Sequence, residues 1–247
     1  MFSFLKDHPF AVEAFFESSL VLTYAAPVDE VRRLVPACLE VDASEESYGF
    51  VAAAMVQTKG LRPKGAPTFL GNDFFLIGYR VFVRFTDDRG KRARGLYILG
   101  SATNKRRMQF FGNIFTHYNY ATTDIHLEGR DREVEISSER SDFKVVYEAP
   151  GGGDVPLPDG SPFSTWKAAR AFAGPMPFTY THQPGSDEVL VIEGVRQEWR
   201  PEPVMVLEHR FAFLDHLGIS TMTLANAFLV SNVPYHWKKG RKLKIPR

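Results

Sequence analysis

Val28, Val31, Leu34 and Val35 recur at helical spacing between two prolines, Pro27 at the opening turn and Pro36 at the stop. A short amphipathic helix is predicted over 27–35. Tyr48 to Val56 and Phe74 to Phe85 carry aromatic and β-branched residues instead, and the second alternates in part. Both read as strands. The turn-forming stretch Thr86 to Gly90 joins the second to a return strand, Arg94 to Thr103, as a hairpin. Beyond it the period changes again: Met108, Phe111 and Phe115 lie three and four residues apart, with Thr103 or Asn104 as the capping residue of a helix over 104–115.

Strand-like segments resume at 118–127, 132–138 and 143–147, with a turn at Gly129 to Asp131. Residues 150–160, rich in Gly and Pro, read as a long loop. A helix over 162–172 with Ser161 as its cap follows, then strands at 189–199 and 204–211 and a helical turn at 213–218. Hairpins outnumber long crossovers, and neither half of the chain looks complete. The expected fold is therefore α+β but mostly β: one domain over 1–247, a large curved antiparallel sheet closing into a barrel, with a few short helices.

Composition narrows the partners. The chain of 247 residues is 44% hydrophobic and 24% charged, and its 21 Phe suit pleated packing surfaces or an apolar pocket. A net charge of +1 gives no global field for nucleic acid. The one basic patch, Lys238, Lys239, Arg241, Lys242, Lys244 and Arg247, reads as a strand edge guarded against further pairing. Cys38 is the only cysteine, which excludes an internal disulfide and fits a reducing, cytoplasmic setting. The N-terminus lacks a secretory pattern, and no apolar run approaches the roughly 20 residues that span a bilayer.

P-loop, dinucleotide-binding, nucleophile-elbow and HExxH motifs are all missing, and the seven histidines show no ligand spacing on a helix. No metal or cofactor is expected. The cluster Lys105, Arg106, Arg107 carries the most pointed chemistry. Neighbouring guanidiniums disfavour the ammonium form, and a neutral amine attacks carbonyls to form a Schiff base. The alternative is a solvated helix turn. His117 is a candidate proton donor or acceptor, and Tyr118 and Tyr120 would share one strand face.

The segment Pro27 to Asp42, with its phrase Val35-Pro-Ala-Cys-Leu-Glu-Val-Asp42, resembles the early helix and strand of acetoacetate decarboxylase-like proteins. The chain also resembles the bacterial YqjF-like proteins of that superfamily, which are uncharacterised. The likeness continues through Tyr48 to Met55, Phe74 to Phe85 and Gly95 to Leu127, and implies a curved sheet around a cavity. When Gly112 is matched to the glycine of the decarboxylases' lysine element, Gln109 and Phe110 occupy the lysine positions. Lys105 falls about one helical turn early, and 59–67 offers no match to their acidic residue. The resemblance thus implies the fold without the decarboxylase activity.

The leading expectation is a pocket protein for a small organic molecule, carboxylate-bearing or apolar, with Arg106, Arg107, Tyr118 and Tyr120 as ligand-binding candidates. The enzymatic alternative is Schiff-base lyase or decarboxylase chemistry on a keto acid, with Lys105 and His117 as catalytic candidates. A scaffold or nucleic-acid role would use the basic C-terminus. No specific nucleic acid and no membrane partner is expected, while an exposed sheet edge would permit homo-oligomers.

Overall fold

The computed structural model describes residues 3–44, 47–172 and 176–246. Strand β1 (Val12–Pro27) leads into α1 (Val28–Arg32), a short β2 (Glu40–Val41) and β3 (Tyr48–Pro63). Strands β4 (Asn72–Thr86) and β5 (Arg92–Thr103) form a hairpin, and α2 (Arg106–Phe115) separates them from β6 (Tyr120–Thr122). There follow β7 (His126–Arg130), β8 (Glu133–Ser138), β9 (Phe143–Glu148), α3 (Trp166–Phe172), β10 (Phe178–His182) and β11 (Glu188–Arg196). The chain ends with β12 (Glu202–Pro203), β13 (Val206–Phe211), α4 (Ala212–Asp215), β14 (Thr223–Trp237) and β15 (Arg241–Lys244).

Strands β1, β3, β4, β5, β10 and β11 pair in that order, and β14 joins the two ends by pairing with both β1 and β11. The strands therefore form a closed ring. Its pairings are antiparallel apart from β5 with β10, and the appended β6 also runs parallel to β5. The reason is connectivity. A parallel neighbour needs a crossover, and α2 supplies one between β5 and β6.

Alternation along each strand gives the ring two apolar faces. On β3, Val51, Ala53 and Met55 point outward into the larger core, while Phe50, Ala52, Ala54 and Val56 point inward. The outward face is covered by a second sheet, ordered β13, β9, β8, β7, whose Phe143, Val145 and Phe211 pack against Tyr24 and Tyr79 of the ring. The inward face is covered near α3 by Phe163 and Phe172, with centroids 5.5 and 4.8 Å from the Phe50 ring. That cover is tied down electrostatically. Arg94 bonds the fully buried Asp42 and the carbonyl of Phe172, and Arg84 Nε lies 2.5 Å from the same carboxylate.

Both longer helices start differently from the sequence expectation. Lys105 is the N-cap of α2, and its ammonium, a donor only, gives no side-chain cap bond; Asn104, an expected cap, instead accepts at Oδ1 from the Phe75 amide at 2.9 Å. Thr165, not Ser161, accepts the Ala168 amide at the start of α3; Ser161 donates to the Ala225 carbonyl at 2.7 Å. The basic C-terminus forms the edge strand β15, with Lys238 paired to Glu193 at 2.7 Å and Lys242 to Asp7 at 2.9 Å. Among the described residues no helix is long and apolar enough to cross a membrane.

Candidate functional site

Leu76, Gly78, Arg80 and Phe82 of β4 share the inward face of the ring. Gly78 itself and the neighbouring Ser19 and Ala52 are too small to fill the interior, and a cavity of about 130 Å³ remains. A carbon placed on Gly78 would sit 3.4 Å from Arg80 Nε, so glycine leaves that flank of the guanidinium open. The cavity is also lined by Ser101 of β5, Thr179 of β10, Arg196 of β11, Tyr235 of β14, and by Tyr118 and Tyr120. Gly194 admits Tyr235: any side chain there would collide with the phenol.

Arg80 is enclosed by protein, and the surface it keeps free faces the cavity. Its Nε is buried with no hydrogen-bond partner, and among the described residues no carboxylate pairs with it. Burial lowers its affinity for the proton, and the charge of Arg196 lowers it further, while the nearby oxygens of Tyr235, Tyr118 and Tyr120 act the other way. Arginine nevertheless stays charged throughout the ordinary pH range. Arg196 is likewise shifted down by burial; it bonds Tyr235 and stacks over Trp199 with 4.8 Å to the ring centroid. Desolvation raises the pKa of all three phenols, so they remain O–H donors well above neutral pH.

The cavity thus presents two guanidiniums and three phenols. Guanidinium only donates, and a neutral phenol readily does; the complement is an oxyanion. Among the described residues the lining contains no lysine, histidine or carboxylate, the groups that most often move protons or attack carbonyls.

The residues singled out in the sequence separate into three places. Tyr118 and Tyr120 line the cavity, their rings 6.3 Å apart. Lys105, Arg106 and Arg107 are exposed on the outer turn of α2, where Arg107 lies over Phe111 at 5.8 Å. His117 is half-buried outside the cavity lining, its Nε2 3.4 Å from Asp7 Oδ1 and 3.1 Å from Gln183 Nε2. Sequence reasoning missed Arg80, Arg196 and Tyr235. For Arg80 a signal existed, since a charged residue two places from Phe82 in an alternating strand must face the same side.

A description of uncharacterized conserved proteins, DUF2071, matches residues 14–239. No curated protein matches the sequence. Among solved structures, an acetoacetate decarboxylase-like enzyme from Sphingomonas wittichii RW1 is 11% identical, with a TM-score of 0.61 over 98% of this chain and 95% of that one. The acetoacetate decarboxylase of Legionella pneumophila gives the same identity and score over 95% and 88%. The enduracididine biosynthesis enzyme MppR, complexed with pyruvate, is 10% identical, with a TM-score of 0.56 over 96% and 91%. At such identities the likeness is one of fold.

Proposed function

The chain belongs to the DUF2071 family of uncharacterized conserved proteins, and on that premise we propose that it binds a compact organic carboxylate inside the strand ring. One observation carries this reading: Arg80 holds a buried positive charge with no acidic partner among the described residues. An unpaired buried charge is costly, and a ligand carboxylate removes the cost. Arg196 and the phenols of Tyr118, Tyr120 and Tyr235 supply further donors to the same oxygens. The pyruvate bound by MppR, a distant structural neighbour, is a molecule of the proposed kind.

The reading is one of binding, since among the described residues no lysine lines this cavity. Lys105 sits exposed at the N-cap of α2 and outside the lining. Titration calorimetry with pyruvate and acetate tests the proposal. Saturable binding is expected, and Arg80→Met should weaken it by about tenfold or more, as befits loss of a charge-assisted hydrogen bond. Equal affinity in the wild type and Arg80→Met would reject the assignment.

A further inference from the structure

A second cavity of about 120 Å³ lies under α2 and shares walls with the first: Phe16, Leu76, Tyr118, Tyr120 and Trp237 line both. Its character is the opposite. Leu61, Phe74, Met108 and Phe115 are among its other walls, and among the described residues no charged side chain lines it apart from the titratable His8. Thr116, one of its few polar residues, is spent on the Gly112 carbonyl at 2.8 Å. Burial depresses the pKa of His8 and keeps it neutral at pH 7. Phe111 lines this chamber while remaining 43% exposed, which puts the chamber's mouth beside the outer face of α2.

Tyr118 and Tyr120 belong to the wall that the polar and apolar chambers share, so a ligand occupying both would pass beside them. A molecule with its carboxylate at Arg80 and a hydrocarbon extension would have both parts matched, and a short acid would leave the apolar chamber to water. We infer that the natural ligand is a monocarboxylic acid with an unbranched apolar tail, its head between Arg80 and Arg196 and its tail running under α2 beside Met108 and Phe115. This rests on the carboxylate reading above and extends it from a head group to a ligand class. The adjacency of an uncompensated cation to an uncharged apolar chamber carries the inference, because each chamber alone is compatible with many small molecules.

The test is calorimetry with acetate, butyrate, hexanoate and octanoate on the intact chain. Burying a methylene contributes about 0.8 kcal/mol, so affinity should rise about three- to fourfold per added carbon until the chamber is full. Leu61→Trp, which fills the apolar chamber from a position outside the polar one, should abolish that rise and leave acetate binding intact. Phe111→Ser, at a half-exposed position that tolerates change, should weaken octanoate and spare acetate, which guards against misfolding of the first variant. Flat affinity along the series, with acetate still bound through Arg80, would overturn the tail assignment and leave the carboxylate reading standing. Octanol binding as tightly as octanoate would overturn the pairing of head and tail. No binding at any length would remove both readings.

Discussion

Arg80 and Arg84 occupy the same strand four residues apart and meet different fates. Arg84 reaches the buried carboxylate of Asp42, which Arg94 also bonds, whereas Arg80 Nε is buried without a partner among the described residues. A folded chain keeps such a residue at the expense of stability, so Arg80→Met should stabilise the ligand-free protein, by on the order of 1 kcal/mol, while removing carboxylate affinity. Urea unfolding of the two proteins measures this, and a less stable Arg80→Met would show that the guanidinium serves the fold. The raised pKa values of Tyr118, Tyr120 and Tyr235 carry a second expectation. Phenols shifted upward lose their protons only in strong alkali, and the ligand carboxyl is ionised above about pH 5. Binding measured from pH 6 to 9 should therefore be nearly constant, and a loss centred near neutrality would implicate a histidine in place of the phenols.

At the scale of elements, legibility followed pattern. The hairpin of β4 and β5, the short α1 and the aromatic helix α2 were readable because each has a clear period or a turn signal. Strands β1 and β14 went unread although they are among the longest. In β1, residues Ser19 to Ala26 are all buried, since one side faces the ring interior and the other the larger core, so no alternation of polar and apolar positions marks them. The polar Ser18, Ser19, Ser231 and Asn232 further blur the pair. Tyr118 and Tyr120 were legible as a pair for the pocket wall, but the intervening Asn119 has a φ of 52°, so only Tyr120 belongs to β6. Arg196 and Tyr235 come together only through the register of β11 against β14. That contact lies across the ring closure, beyond the reach of local sequence. Gly194, beside Arg196 on β11, makes it possible. Gly194→Ala should displace Tyr235, cost about 1–3 kcal/mol by overpacking and weaken carboxylate binding. Its cost should shrink in a Tyr235→Ala background; additive costs in calorimetry and unfolding would place the strain elsewhere.

At the scale of the molecule, His8 ties distant parts together: its amide donates to the Phe115 carbonyl and its carbonyl accepts from Gly240. Its φ of 54° is a conformation that asparagine also tolerates. Burial holds the imidazole pKa below the ordinary value of 6.5. The unfolded chain therefore binds a proton near pH 6.5 that the folded chain refuses, and folding stability falls as pH drops below that value. His8→Asn should remove part of that acid-side decline between pH 7 and 5 in urea titrations; an unchanged slope would assign it to other groups. We propose that residues 1–247 form one domain, because the larger core joins the ring to the second sheet. A single cooperative unfolding transition, coincident by fluorescence and circular dichroism, is the expected behaviour, and two separated transitions would divide the sheets into independent units. On the proposed reading the two chambers would give a shared fold its ligand preference, with Arg80 as the polar anchor.

The most direct measurement is a crystal structure of the protein soaked with a short carboxylate such as pyruvate. The carboxylate should lie inside the ring within hydrogen-bond reach of Arg80 Nε, with Arg196 and at least one phenol on its other oxygens. A carboxylate bound elsewhere, or an Arg80 Nε already paired with an acidic side chain of the protein, would contradict the account.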